Sequence, residues 1–497
     1  MKRTVLIPLF YDLSPHLDTD FEIAFDLLAK SDDLSVLFLR CHSSFSTCIQ
    51  NKEHKLIRCA ECFSNIDTYY IYAKKKFRRR VNQIFLPKFK LAKRQCYLFQ
   101  SVDDLNKFSI KGFDDIGRTI TTTLVNKYGN DHRLDVSRYR DEMNIEIFQA
   151  LDLYEYVKKV IKNYNIDSIY FFNGRFAQFR PLIAAAQTCN IEYYSHERGG
   201  EKYRYLLRRG YLPHSIEFAK IEQEQIKKKY VSDDFIPRMG NKFFTDREKN
   251  IDQGWISFTK NQKTGSLPIG FDIQKRNFVI YNSTIEEYIS FPEWDNPLFE
   301  SEIEALEYIL TEFENEYTVH FYLRAHPNMR GLDTSQTRHL SYIKNRYKNV
   351  TVIMPDDRIH TYALLKACEK TITFGSTIGV EATYFRKPSI LVGRSLYESL
   401  DVCYIPRFKD DIKALLLSKL DAKPLFGALL YGCWELIRGE KYKYYLPKTL
   451  FEGKFNGVSN CRTLLGHADA SLVLLNKMEK KCKNKIEQVI CKLVQPG

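Results

Sequence analysis

Apolar residues in this chain come in two arrangements: short unbroken runs, and longer stretches in which they return every three or four positions. The runs predict strands covered on both faces, and the longer stretches predict amphipathic helices. Residues 4–10 read as a strand, 21–30 as a helix and 34–39 as a second strand. Further on, Ile147, Leu151, Tyr154, Val157 and Ile161 share one face of a helix over 144–164. It leads to a strand at 168–172, a helix at 179–189 and a strand at 191–194. A second series places strands at 277–281, 318–323, 350–354, 371–374 and 389–392, with helices at 298–313, 336–346, 359–368 and 378–385 between them. Such alternation predicts an α/β protein with parallel sheets.

Between the two series, residues 228–276 are polar and weakly periodic, with Pro237, Gly240, Gly254, Gly265, Pro268 and Gly270, and read as a connection. The expected organisation is a first Rossmann-like domain over 1–227 with a basic excursion at 72–94, a linker over 228–276, and a second Rossmann-like domain over 277–410. A helical tail over 411–497, whose last run is 468–493, packs back on the first domain. Open sheets of this kind bind ligands beyond the carboxyl ends of their strands, which puts the site in a cleft between the two domains.

A chain of 497 residues suits two domains rather than one. Its hydrophobic fraction of 44% and aromatic fraction of 14% predict a folded protein, and a mean hydropathy of −0.37 predicts a soluble one. The most apolar candidate, 425–434, is about half of the roughly 20 residues a spanning helix needs. The N-terminal KRTVLIPLFYDLS reads as a first strand, not as a signal peptide. Twelve scattered cysteines then suit reduced thiols in a cytoplasm. Cys41, Cys48, Cys59 and Cys62 lie close in sequence and can be read as a zinc site or as free thiols, but their spacing is not a common closed-site pattern. No metal is expected.

The net charge of +14 is unevenly spread. Residues 72–94 carry ten Lys or Arg and no acid, interleaved with Phe77, Ile84, Phe85, Leu86, Phe89 and Leu91. An anionic membrane surface attracts such a segment by about 1 kcal/mol per basic residue. Nucleic acid and a plain solvated surface compete for the same feature.

The β-rich run before Arg324-Ala-His-Pro must stop by Pro327, because proline offers no ladder donor and restricts the residue before it. His326 is thereby placed at the mouth of a sheet. Near the fourth strand, Gly375, Ser376 and Thr377 lead into a helix, so two hydroxyls and unpaired backbone N–H groups converge where an anion can sit. An ordinary helix cap explains the same residues. Glu381, one turn into that helix, can accept both hydroxyls of a ribose. Ser283 ends the first strand of this series. In the first series, Asn173, Gly174 and Arg175 end one strand, and SHERGGEKY, with His196, Glu197 and Arg198, ends the next. Glu197 suits a general base and Arg198 an anion clamp; the competing reading is a polar loop with an ion pair. No Asp-x-Asp stands at a strand end, and Walker, G-x-G-x-x-G and G-x-S-x-G elements are absent.

Residues 321–393 resemble the donor-binding half of the two-Rossmann (GT-B) glycosyltransferases, especially bacterial capsule and surface-polysaccharide enzymes. Those using CMP-activated sialic acid or 3-deoxy-octulosonate share a His-Pro and a Ser-Ser/Thr motif, matched here by His326-Pro327 and Ser376-Thr377. Glu381-Ala382, followed by Pro388, is similar to the ribose-binding helix of GT-B enzymes more widely. The polysialyltransferases carry an acidic-acidic-Gly motif that supplies the base; Glu197 matches its first acid, while Arg198 replaces the second. The resemblance implies catalytic roles for Glu197 and His326. It implies donor binding by Arg324, His326, Pro327, Ser283, Gly375, Ser376, Thr377 and Glu381, and acceptor binding by Asn173, Gly174, Arg175, His196 and Arg198.

The expected function is metal-independent transfer of a sugar from a nucleotide-sugar, with CMP favoured, to a growing capsule or surface polysaccharide, or to a lipid-linked glycan. The nucleotide-sugar is a co-substrate and no cofactor is expected. The protein is expected in the cytoplasm, peripheral on the inner membrane face, with no nucleic acid partner. Two alternatives are a CDP-polyol phosphotransferase of the teichoic-acid type and a non-catalytic glycan-binding scaffold in a capsule assembly complex.

Overall fold

The computed structural model describes residues 3–89, 94–128, 134–230, 232–283, 288 and 291–459. The helix expected over 468–493 lies outside them. The chain runs β1 (Arg3–Leu9), α1 (His16–Lys30), β2 (Leu34–Arg40), α2 (Leu56–Phe77), β3 (Val81–Phe85), α3 (Val102–Asn106), α4 (Ile116–Tyr128), α5 (Arg140–Asn163), β4 (Ile166–Phe172). It continues α6 (Arg180–Thr188), β5 (Glu192–Arg198), β6 (Arg204–Arg209), α7 (Ile216–Lys229), α8 (Phe235–Glu248), β7 (Arg276–Tyr281), α9 (Glu302–Glu312), β8 (Val319–Arg324). Next come α10 (Ser335–Arg346), β9 (Val350–Ile353), α11 (Thr361–Ala367), β10 (Lys370–Thr373), α12 (Ile378–Tyr384), β11 (Ser389–Leu391), α13 (Lys409–Leu417) and α14 (Leu425–Ile437). The short strands β12 (Glu440–Lys441), β13 (Tyr445–Pro447), β14 (Gly453–Phe455) and β15 (Val458–Ser459) close the series. The α/β alternation with parallel sheets is therefore as expected.

Two compact units divide the chain: Met1–Lys93 with Lys159–Phe171 and the chain from Tyr442, and Arg94–Lys158 with Phe172–Lys441. In the first, β1 pairs in parallel with β2 and with β4, and β2 pairs in parallel with β3. Helix α1 buries Glu22, whose carboxylate accepts from the backbone N–H groups of Lys443 (2.6 Å), Tyr444 (2.9 Å) and Tyr445 (2.9 Å). One side chain thus satisfies three successive donors and fastens the chain around β13 to α1.

Part of the basic segment is structural. Lys74 donates to the Val81 carbonyl (2.6 Å), Arg80 to those of Leu28 and Ser31 (both 2.9 Å), and Lys76 lies over the Phe25 ring (4.9 Å). Lys75, Arg78 and Arg79 stay exposed and have no ion pair among the described residues. Cys41, Cys48, Cys59 and Cys62 form no disulfide with one another. No group of three or more His, Cys, Asp or Glu among the described residues is placed to hold a metal ion. None of the described helices is long and apolar enough to cross a membrane.

In the second unit, five parallel strands lie in the order β11-β10-β7-β8-β9. Alternate residues serve opposite faces: Phe278, Ile280, Phe321 and Leu323 pack with α9 and α10, while Val279, Tyr281 and Tyr322 pack with α11 and Ala382 of α12. Both faces are covered, which is why these strands read as unbroken apolar runs. Chain direction across the sheet reverses between β7 and β10, the switch point at which doubly wound sheets bind ligands. Part of the stretch read as a connection folds as α8, packed closely on α14: a Cβ on Gly240 would collide with the Leu429 backbone. Strands β5, β6 and β12 form an antiparallel ribbon in which Glu197 faces Leu206.

Candidate functional site

The expected donor residues gather at the carboxyl ends of β7, β8 and β10. Strand β8 ends at Arg324, and Pro327 opens a short 3-10 turn over Pro327–Met329 capped by His326. The Nδ1 of His326 accepts from the Asn328 N–H (3.2 Å), which leaves the ring proton on Nε2. Its own N–H donates to Oδ1 of buried Asn282 (2.5 Å), just past β7. Burial, and secondarily the Arg324 guanidinium, lowers the His326 pKa to about 4. The imidazole is neutral at pH 7 and offers Nε2–H as a hydrogen-bond donor.

Beside it lies a cavity of about 410 Å³, lined among others by Phe258, Asn261, Arg324, Pro327, Asp357 and Arg358. Phe258 meets the His326 ring edge-on at 5.4 Å. Arg324 is 4% exposed, and its Nη1 donates to the Asp357 carbonyl (3.2 Å). Arg358 donates Nε to the Asn261 carbonyl (3.3 Å). Neither guanidinium has an ion-pair partner among the described residues, whereas two other lining cations do: Lys260 pairs with Asp252 (2.5 Å) and Arg330 with Asp356 (2.7 Å). A buried cation whose only bonded partner among the described residues is a carbonyl makes this cavity attractive to an anion.

Ser283 follows Asn282. Its N–H donates to Glu302 Oε2 (3.1 Å), and its buried hydroxyl has no partner among the described residues. At the end of β10, Gly375 has φ +134°, a conformation suited to glycine, and a Cβ there would lie 2.7 Å from the Arg394 carbonyl. Ser376 Oγ accepts from the Ile378 N–H (3.4 Å), and Thr377 leads into α12 with no side-chain cap.

Glu381 is completely buried. Its Oε1 accepts from Nε (3.0 Å) and Nη2 (2.8 Å) of Arg247 on α8, and the same Nη2 donates to Thr377 Oγ1 (3.1 Å). Burial works against the Arg247 charge and the Glu381 carboxylate more than offsets it, so the Arg247 pKa is raised. Asp356 and Asp357, at the rim of the cavity, are the exposed carboxylates.

The expected acceptor residues form a second group. Asn173 and Gly174 adopt left-handed φ of +58° and +94°, turning the chain sharply after β4. Asn173 donates Nδ2 to Glu197 Oε2 (2.8 Å) and its N–H to the His196 carbonyl (2.9 Å), while its Oδ1 accepts from the Arg175 N–H (3.2 Å). Glu197 Oε1 also accepts from the Arg198 N–H (3.0 Å). His196 is fully buried, with its ring against Phe172 (6.0 Å), and so packs rather than faces solvent. Arg198 lies over the half-exposed Trp255 ring (5.1 Å).

Sequence reasoning missed what joins these groups within this unit. Trp294 donates Nε1 to the His214 carbonyl (2.9 Å), and its ring edge comes within 3.9 Å of where a Gly375 Cβ would stand. Burial, then the charge of Arg175, lowers the His214 pKa to about 3, with Glu197 acting in the opposite sense. Arg118 grips Asp295 with both guanidinium nitrogens (3.0 and 2.7 Å), steadying the same segment. Phe258, Arg247, His214 and Arg358 carried no motif. Only their proximity to the strand ends in space marks them.

Residues 292–409 match the family described as capsule polysaccharide biosynthesis protein. No curated protein matches the sequence. Among solved structures, a KpsC beta Kdo 2,4 transferase of Thermosulfurimonas dismutans is similar at 11% identity and TM-score 0.35, covering 54% of this chain and 79% of that one. The beta Kdo 2,7 transferase of the same organism's KpsC gives 12% and 0.34, covering 56% and 80%. A UDP-GlcNAc 2-epimerase of Methanocaldococcus jannaschii, in complex with UDP-GlcNAc and UDP, gives 12% and 0.26, covering 86% and 98%.

Proposed function

We propose that this protein is a glycosyltransferase that moves a sugar from a nucleotide-sugar, with CMP the favoured nucleotide, to a growing capsule or surface polysaccharide. The observation that carries the reading is the anion-ready cavity at the end of β8, where buried Arg324 lacks an ion-pair partner among the described residues beside neutral His326. The match of residues 292–409 to the capsule family supports the same reading. Arg324 and the Nε2–H of His326 hold the donor phosphate and stabilise the charge that develops on it as the sugar–oxygen bond breaks. Ser283, Gly375, Ser376 and Thr377 supply hydroxyl and backbone donors, and Pro327 with Phe258 walls the nucleoside. Glu381 acts through Arg247 and Thr377, and Asp356 and Asp357 are the carboxylates open to ribose hydroxyls. On the acceptor side, Glu197 takes the proton of the attacking hydroxyl, oriented by Asn173. Arg175 and Arg198 bind the glycan, and His196 fixes the strand end through its carbonyl.

A thermal-shift series with CMP, CDP, UDP and GDP tests the donor site, because a ligand that binds the folded state raises its stability. CMP is expected to give the largest shift, and His326→Ala to weaken it about tenfold by removing a hydrogen bond to a charged group. If His326→Ala binds CMP like the wild type, the phosphate is held elsewhere.

Peripheral attachment to an anionic membrane rests on Lys75, Arg78 and Arg79, three exposed members of the basic run that have no ion pair among the described residues. Reversing these three charges should remove most sedimentation with phosphatidylserine vesicles at low salt, at about 1 kcal/mol per residue. Unchanged sedimentation would sink the membrane reading.

A further inference from the structure

Behind the donor strand ends lies a carboxyl group that no motif marks. Glu302, the first residue of α9, is 6% exposed. Its Oε2 accepts the Ser283 N–H at 3.1 Å, and its Oε1 accepts from Nε2 of Gln336 on α10 at 3.3 Å. The same Gln336 amide donates to the Ser283 carbonyl at 2.9 Å, so both backbone polar groups of Ser283 are tied to one buried pair. Asn282, next to Ser283, donates Nδ2 to the Met329 sulfur at 3.3 Å and receives the His326 N–H at 2.5 Å.

We infer that Glu302 is a positioning residue for the donor phosphate: it sets the Asn282–Ser283 strand end that orients His326, and its carboxyl, buried with no cation beside it among the described residues, stands behind the anion. The inference rests on the donor reading above. No cation reaches Glu302 among the described residues: the groups facing it are the Ser283 backbone, Gln336 and Asn282. Across the same pair of helices, Glu307 and His339 pair with one another at 3.4 Å, and on the far side of Asn282 stands His326, neutral above pH 4. Burial pushes the Glu302 pKa up to about 8, against the neighbouring amide groups that pull it down. Ionisation in the alkaline range therefore puts a full negative charge directly behind the phosphate.

The test is CMP affinity by calorimetry between pH 6.5 and 9.5, for the wild type and Glu302→Gln, with cytidine as the uncharged probe. The CMP phosphate is largely doubly ionised above pH 7, so it contributes little to a change between pH 7 and 9.5. Wild-type affinity for CMP should fall about tenfold over that range while that for cytidine stays level. In Glu302→Gln, whose amide oxygen still receives the Ser283 N–H, the alkaline fall should vanish. An alkaline fall that is equal for cytidine, or that persists in Glu302→Gln, overturns the inference and leaves the donor site standing. Absence of CMP binding at every pH overturns both. The wild-type comparison of CMP with cytidine decides the matter even if the variant folds poorly.

Discussion

Glu381 on α12 and Glu302 on α9 are both buried behind the carboxyl end of one parallel sheet, and the protein treats them in opposite ways. Glu381 is given a cation: Arg247 meets Oε1 through two guanidinium nitrogens. Glu302 is given only amide donors, and burial prevails over them. A buried carboxylate with a well-placed guanidinium can keep its charge, while one with only neutral donors holds its proton to higher pH. Motif spacing drew attention to the first; the second, without any motif, is tied directly to the strand end at the switch point. Position in a sequence pattern and position in the site are different properties.

The largest expected effect separates the two by their partners. Arg247→Met leaves Glu381 buried without its cation and should cost about 3–5 kcal/mol of stability, read by urea unfolding. The double variant Arg247→Met with Glu381→Leu should recover most of that loss, since it removes both charges. A cost under about 1 kcal/mol for Arg247→Met would mean the pair contributes little to the fold, and would return Glu381 to the ribose role its spacing suggests.

A smaller effect sharpens the other half of the comparison. The unfolded Glu302 titrates near 4.5 and the folded one near 8, so between those values the folded state binds the extra proton. Stability should therefore fall as pH rises from about 4.5 and level off above about 8. Each pH unit of separation is worth about 1.4 kcal/mol at most; allowing for relaxation around the ionised group, a swing of roughly 2 kcal/mol is expected. Glu302→Gln should lack that component. Parallel stability–pH curves for wild type and variant would show that the fold does not hold the proton on Glu302.

Much of the second sheet was legible because its signals are local. Pro327 forces the end of β8 whatever surrounds it, and the expected strand at 318–323 lies one residue from Val319–Arg324. The Gly375 turn and the helix after it follow from glycine conformation and apolar spacing in the same way. Helix α8 was hidden because Pro237 and Gly240 look like breakers. Pro237 sits in the first turn, where no intrahelical N–H bond is lost, and Gly240 is there to let α14 approach. The chain after α14 was read as helical, yet its described part forms β12 to β15, whose pairing depends on distant partners such as Glu22 and Tyr205. The site divides likewise. Strand-end residues declare themselves, but Arg247 lies 134 positions from Glu381, and no local pattern ties them.

The three tryptophans happen to be distributed as an optical map of this unit. Trp434 is wholly buried beside α8 and supplies a constant background. Trp294 stacks on Tyr288 at 3.7 Å and touches the Gly375 turn, while Trp255 is 49% exposed under the Arg198 guanidinium. Emission from Trp294 and Trp255 therefore differs in colour and in access to quencher, so the two groups of candidate site residues can be followed in one cuvette without a label.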